Sequence, residues 1–270
     1  MPDDIKKNID SFILSLQGKG RYSFSLDEAQ NSTHKTSIAV KRELDRLKGK
    51  GQLVAVRKGY YVIVPPEYRQ RGLMPPELFI DPMMKWMDKP YYLGLLTAAS
   101  MHGSAHQQPQ EVFVITPKPA LRNIEKKGYR IRYITNQNWI EEGVAQKKTD
   151  TGYINISSPE LTVIDLVTFY KAAGGLNRVA AIIGELLDEI NESRLKKLLQ
   201  ANIQTTTIQR LGYIVDVTHG YIKIAGAIKK VLDKKKTFWV NLHPGTDIQD
   251  DAYKNNDWKI IENITLETDL

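Results

Sequence analysis

Residues 25–64 read SLDEAQNSTHKTSIAVKRELDRLKGKGQLVAVRKGYYVIV, and the succession of patterns in this stretch sets the fold of the N-terminal part. Ser25-Leu26-Asp27-Glu28 places a hydroxyl three residues before a carboxylate, the form of a capping box. It predicts a short helix running to about Gln30. Asn31-Ser32-Thr33-His34 then supplies turn and N-cap residues. The next predicted helix ends at Gly49 and carries Ile38, Val40, Leu44 and Leu47 as its apolar stripe. Leu53-Val54-Ala55-Val56 and Tyr60-Tyr61-Val62-Ile63-Val64 are β-rich runs on either side of Arg57-Lys58-Gly59, which is a hairpin signal. Upstream, Ile5, Ile9, Phe12, Ile13 and Leu16 recur at helical spacing over residues 4–17, and Gly18 and Gly20 end the pattern. Three helices followed by a hairpin, assigned to residues 1–66, is the plan of a winged helix-turn-helix.

Charge points the same way. The 270 residues hold 38 Lys and Arg against 31 Asp and Glu, a net +7. Residues 1–73 hold 14 basic and 8 acidic side chains, and the remainder 24 and 23. The excess is therefore concentrated in the first quarter, as expected of a module that meets a polyanion. Between residues 35 and 58 stand eight basic side chains and two acidic ones, Glu43 and Asp45. With the third helix entering a major groove N-terminal end first, His34, Lys35, Thr36 and Ser37 face double-stranded DNA. Lys41 and Arg42 follow about a turn later, Arg46 reaches a phosphate, and Arg57 and Lys58 stand at the wing tip.

Other classes are excluded. The chain has no cysteine, so disulfide scaffolds, Cys-ligated zinc and thiol nucleophiles are impossible. The acidic Met1-Pro2-Asp3-Asp4 start is not followed by a signal-peptide core. The longest uncharged run is Pro90–Gln110, and its apolar part, Tyr91–Met101, is about half the ~20 residues that span a bilayer. The expected setting is the cytoplasm, away from membranes.

Pro65-Pro66, Pro75-Pro76 and Pro82 punctuate residues 65–90, and residues 67–89 read as a linker with a short helical piece between Pro76 and Met87. Residues 90–270 form the second predicted domain. Tyr91–Met101 reads as a helix broken by Gly103, and Glu111–Thr116, Tyr129–Ile134 and Tyr153–Ile156 as strands. Ser157 or Ser158 caps a helix with Pro159 near its first position. Further helices centre on Leu176–Ile190, Leu195–Leu199, Ile208–Val215 and Ala225–Leu232, and short strands on Phe238–Leu242 and Trp258–Ile261. Strands and helices mix without βαβ alternation, so the fold class is α+β.

The run from Tyr91 through Tyr92, Gly94, His102, Gly103, His106 and Gln107 to Pro109 resembles the signature that follows the winged helix in AbiEi-type antitoxins. These belong to the AbiE phage abortive-infection systems, grouped as type IV toxin–antitoxin pairs. The resemblance extends to Glu111–Thr116, to Ser158-Pro159-Glu160-Leu161-Thr162-Val163-Ile164-Asp165-Leu166, to Arg210-Leu211-Gly212-Tyr213 and to Trp258–Asn263. Thr97, where Ser is common, and Leu161, where Arg often follows Pro-Glu, depart from it. It implies a two-part protein with no enzymatic activity. The winged helix represses the system's own promoter at inverted repeats, with two copies on the DNA. The C-terminal domain counters a cognate nucleotidyltransferase-like toxin, with or without a stable complex between them.

Several constellations point elsewhere. His102 and His106 have i, i+4 ligand spacing, but Gly103 stands where a metalloprotease motif needs Glu. The imidazoles, with Gln107, instead read as ties from the helix end to neighbouring backbone. Asp165, or Asp247, Asp250 and Asp251, would serve a rival reading, a DNA-tethered metal-dependent nuclease. A ligand-sensing repressor without a toxin is a third. Tyr129, Arg130, Arg132 and Tyr133, with Arg122, Lys126 and Lys127, form a second candidate nucleic-acid surface. No phosphate loop or nucleophile elbow occurs, and no cofactor or metal is expected.

Overall fold

The computed structural model describes residues 8–104, 111–126, 129–248 and 252–267. It is an α+β protein. In chain order the N-terminal elements are α1 (Ile9–Gln17), β1 (Ser23–Ser25), α2 (Leu26–Thr33), α3 (Ser37–Gly49), β2 (Leu53–Arg57) and β3 (Tyr60–Ile63). The expected helices and hairpin are present, with residues 4–7 of the first helix, Ile5 among them, outside the described residues, and β1 is an addition. It pairs antiparallel with β3, which pairs antiparallel with β2, giving the sheet order β1-β3-β2. This is the element order that a winged helix-turn-helix requires.

Local chemistry explains the element ends. Asn8, Ser25 and Thr36 are the N-caps of α1, α2 and α3, each accepting a backbone N–H from the first turn. Ile9, Phe12 and Leu16 of α1, Val40, Leu44 and Leu47 of α3, and Phe24, Leu53, Tyr61 and Ile63 of the sheet form one core. Phe24 meets Phe12 edge-on at 5.2 Å and stacks with Tyr61 at 5.7 Å. Tyr60 bonds Ser23 Oγ at 2.8 Å, and burial pushes its phenol up to about 12.

Residues 67–89 are not the irregular linker that their prolines suggest. Two 3₁₀ turns (Pro66–Tyr68, Pro76–Leu78) and α4 (Ile80–Trp86) occupy the stretch. Phe79, Ile80, Met83 and Met84 are fully buried. The prolines open the 3₁₀ turns, where a missing N–H costs nothing.

The remaining elements are β4 (Tyr92–Leu93), α5 (Leu95–Met101), β5 (Glu111–Thr116), β6 (Ile124–Lys126), β7 (Tyr129–Thr135), β8 (Val144–Thr149), β9 (Gly152–Ser157), α6 (Pro159–Thr168), α7 (Leu176–Leu186), α8 (Glu192–Gln200), α9 (Thr205–Tyr213), α10 (Ile222–Leu232), β10 (Val240–Asn241), β11 (Lys254–Asn255) and β12 (Ile260–Ile261). The larger sheet runs β6-β7-β5-β4-β9-β8. β5 and β7 pair in parallel from Glu111↔Arg130 to Thr116↔Thr135, and β6 pairs antiparallel with β7. β8 is absent from the sequence expectation because Val144-Ala145-Gln146-Lys147-Lys148-Thr149 offers almost no apolar alternation.

The compact units cut the chain differently from a linear split at residues 66 and 90. One comprises Met1–Tyr92, Gln110–Thr135 and Gln146–Asn155; the other comprises Leu93–Pro109, Asn136–Ala145 and Ile156–Leu270. Sheet pairing causes the interleaving, because β4, β8 and β9 each give residues to both units.

Inside the second unit, buried polar groups join separate helices. Ser158 caps α6, accepting from Leu161 N–H at 3.3 Å and donating to the Glu160 carboxylate at 2.7 Å. Glu160, 1% exposed, also accepts the Asn191 N–H at the start of α8 at 2.8 Å. In α9, Gly212 lies against the buried Trp258 ring, whose Nε1 donates to Asp216 at 2.8 Å. A Cβ at position 212 would collide with that ring. Gly212→Ala should therefore destabilise the protein by about 1–3 kcal/mol, the usual range for overpacking. An unchanged thermal-unfolding midpoint would refute this account of the contact.

Candidate nucleic-acid interface

Burial of Val40, Leu44 and Leu47 turns the opposite side of α3 outward. That side carries Lys41, Arg42 and Arg46, all exposed. α2 and α3 are joined by His34, Lys35 and Thr36. His34 closes α2 in the left-handed conformation (φ 55°), donating its N–H to the Gln30 carbonyl at 2.8 Å. Histidine tolerates this region better than most residues, and the turn needs no glycine. His34 and Thr36 are exposed beside the N-terminus of α3, and Ser37 is half-buried.

The cations divide by commitment. Lys35 pairs with Glu43 at 2.5 Å, Arg46 with Asp10 at 3.3 Å, and Lys48 with Asp45 at 2.6 Å. Lys41, Arg42, Lys50 and Lys58 make no ion pair among the described residues. Arg57, expected at the wing tip, turns inward. Its guanidinium lies over the Tyr133 ring at 4.9 Å and donates to the Arg122 carbonyl at 3.0 Å. The hairpin turn is only Lys58-Gly59, with Arg57 paired to Tyr60, so Arg57 still belongs to the strand. Lys58 is the exposed cation at the tip.

Sequence reasoning misplaced Ile38. Assigned to the core stripe, it is instead 67% exposed on the first turn of α3. The signal was available: position 38 is two residues from Val40, and i, i+2 positions do not share a helix face. An aliphatic side chain therefore stands one turn from Lys41 and Arg42 on the outward surface.

The second expected nucleic-acid surface is largely spent internally. Arg130 and Arg132 both bind Glu111, at 3.3 and 3.1 Å, and Tyr133 is buried. Arg122 and Lys126 instead line a groove of 620 Å³ with Arg57, Lys58 and Trp86. Lys127 lies outside the described residues.

The signature residues have structural surroundings. Tyr92 is fully buried, Gly94 precedes α5 as its N-cap residue, and Gly103 has φ 92° just after the helix. His102, the C-cap of α5, donates from Nε2 to the Ser157 carbonyl at 2.7 Å. Ser157 Oγ in turn reaches the Leu93 carbonyl at 3.4 Å and Thr162 Oγ1 at 2.7 Å. His106 and Gln107 lie outside the described residues, as do Asp250 and Asp251. Asp165 is buried within α6. Among the described residues no three His, Asp or Glu side chains form a metal-ligating group, and no helix is long and apolar enough to cross a membrane.

Residues 92–217 match the family model of the AbiEi antitoxin C-terminal domain. No curated protein matches the chain in sequence. Among solved structures, the crystal structure of the RV2827C protein from Mycobacterium tuberculosis is similar, with a TM-score of 0.67 and 16% identity. The likeness covers 93% of this chain and 90% of that one. At that identity it bears on the fold alone.

The division of cations makes a testable distinction. If α3 meets duplex DNA, Lys41→Ala and Arg42→Ala should each lower the slope of log affinity for duplex DNA against log salt by about 1, the signature of a lost phosphate contact. Arg57→Ala should leave that slope unchanged and lower the unfolding midpoint, since its side chain packs on Tyr133. Salt titrations by fluorescence anisotropy, with unfolding curves beside them, separate the two kinds of residue.

Proposed function

We propose, from the match of residues 92–217 to the AbiEi antitoxin C-terminal domain model, that this chain is the antitoxin of a type IV toxin–antitoxin pair and represses its own promoter. Both roles fall within the antitoxin and transcriptional-regulator character of the domain. The toxin it counters is a nucleotidyltransferase-like protein, and its DNA target is an inverted repeat occupied by two copies. The protein acts in the cytoplasm and catalyses no reaction.

The outward face of α3 carries the DNA half of this reading. An N-terminal turn of Thr36, Ser37 and Ile38, followed by Lys41 and Arg42, which have no ion pair among the described residues, suits a helix that enters the major groove by its N-terminus. Lys41 and Arg42 supply phosphate or guanine contacts, and Lys58 adds a flanking phosphate contact from the wing. Ile38 fits the one apolar feature of the groove floor, the thymine methyl.

Antitoxin action belongs to the second unit, with buried Glu160 and the His102–Ser157 bond keeping its shape. His102→Ala should lower its unfolding midpoint and, through the reduced folded fraction, weaken protection against the toxin. Because one unit takes strands from both sides of residue 90, the two roles are separable by point substitutions in the full chain, not by truncation.

Co-expression with the toxin encoded beside it, together with a promoter–reporter fusion, tests the reading. Wild type should restore growth and silence the reporter. Lys41→Ala with Arg42→Ala should restore growth but release the reporter. Failure of the wild-type chain to restore growth would remove the antitoxin assignment; equal silencing by both would remove the assigned role of α3. Ile38 has its own test. Replacing its partner thymine by deoxyuridine removes one methyl and should weaken binding about fourfold, at ~0.8 kcal/mol per buried carbon. Ile38→Ala should be insensitive to the same replacement in a promoter titration.

A further inference from the structure

The second unit carries two exposed aromatic rings on a backbone held from beneath. Phe238 is 62% exposed and Trp239 is 41% exposed, adjacent to each other immediately before β10. Gln209 of α9 is buried, and its Nε2 donates to the carbonyls of Phe238 at 2.8 Å, Trp258 at 3.0 Å and Lys259 at 3.3 Å. Arg210, the next residue, donates to the Asn241 and Leu242 carbonyls at 3.0–3.2 Å. Burial lowers the pKa of its guanidinium. A hydrophobic pair on a loose tail would fold back on the protein; this pair sits on a segment held at three of its own carbonyls, those of Phe238, Asn241 and Leu242.

Each ring also has its own cation. Lys236 Nζ lies 5.1 Å from the Phe238 centroid, and Lys259 Nζ lies 4.9 Å from the Trp239 centroid. Lys234 and Lys235 precede them, and the nearby Asp233 carboxylate is taken by Lys229 at 3.5 Å. A purely apolar partner would leave these ammonium groups to be desolvated without compensation. An acidic protein surface would satisfy the lysines but offers no flat π-faces to the rings. A ligand with planar faces and an anion at each repeat satisfies both, and these are the properties of unpaired nucleotides: bases stack on aromatic rings while phosphates meet lysines. Duplex DNA does not fit, since its bases already stack on one another.

We propose that Phe238 and Trp239, with Lys236 and Lys259, form a stacking platform for single-stranded nucleic acid, separate from the duplex-binding surface assigned to α3. The assignment stands on these residues alone and does not require the reading of the N-terminal helices.

The full-length protein is titrated with fluorescein-labelled oligothymidylate and oligouridylate, following anisotropy and tryptophan emission. Both strands should bind and quench Trp239. A preference for one identifies the source as DNA or RNA, and equal binding shows that the sugar is not read; either pattern supports the platform. Phe238→Ala and Trp239→Ala should each weaken strand binding by roughly five- to 150-fold, the usual value of one base–aromatic stack. Both should leave duplex promoter binding and the unfolding midpoint unchanged, because the side chains are exposed. Lys236→Ala should weaken strand binding and reduce its salt dependence. Strand affinity unaltered by both aromatic substitutions would overturn the proposal. So would displacement of the strands by dextran sulfate, a polyanion without bases, as effective as displacement by unlabelled strand. Loss of co-purification with the toxin in the aromatic variants, without any strand binding by wild type, would identify a protein-docking face instead.

Discussion

Helical periodicity acting on one buried edge governs the candidate DNA-binding surface. Val40, Leu44 and Leu47 of α3 share one core with Phe12, Phe24 and Leu53, and no rotation of the helix can bury those three without presenting Lys41 and Arg42 to solvent. Shared burial fixes α1 and the β1-β3-β2 sheet to the same core, so the N-cap Thr36, the left-handed His34 and the short Lys58-Gly59 turn are positioned by hydrophobic packing rather than by any charge. The basic side chains are passengers on that arrangement.

Ion pairing then selects among the passengers. A count of basic residues between positions 35 and 58 treats all eight as equivalent, whereas the fold spends Lys35, Arg46 and Lys48 on acids and turns Arg57 onto Tyr133. Exposed pairs of this kind contribute little stability, but they reduce the charge available to a polyanion. What is left is a smaller positive surface with an aliphatic residue, Ile38, at its N-terminal end.

In the second unit, polar residues within the matched stretch 92–217 do structural work. Ser158 and Glu160 join the start of α6 to the start of α8, His102 ties the end of α5 to β9, and Gln209 and Arg210 hold the C-terminal loops by their carbonyls. Each is a buried or half-buried donor or acceptor whose removal leaves backbone groups unpaired, which is costly in an interior from which water is excluded. The AbiEi antitoxin C-terminal domain match over residues 92–217 thus falls on residues that define a shape. The exposed Phe238 and Trp239 lie beyond it.

Local patterns were enough for most helices and for the long strands, because capping residues, apolar spacing and turn glycines act over a few residues. The winged-helix element order, the α+β class and the concentration of charge in the first quarter all follow from such short-range features. Tertiary structure decided what those features could not reach. Residues 67–89 joined a core because α4, which buries Ile80, Met83 and Met84, packs against β1, distant in the chain. β8 formed from a polar segment because a neighbouring strand offered backbone hydrogen bonds, which do not depend on side-chain pattern. The unit boundary moved because strands from separate stretches pair in one sheet. Whether a given Lys or Arg is free for a ligand was decided last, by acids and aromatic rings brought near by folding: composition supplies the charges, and only three-dimensional proximity determines which of them are already neutralised.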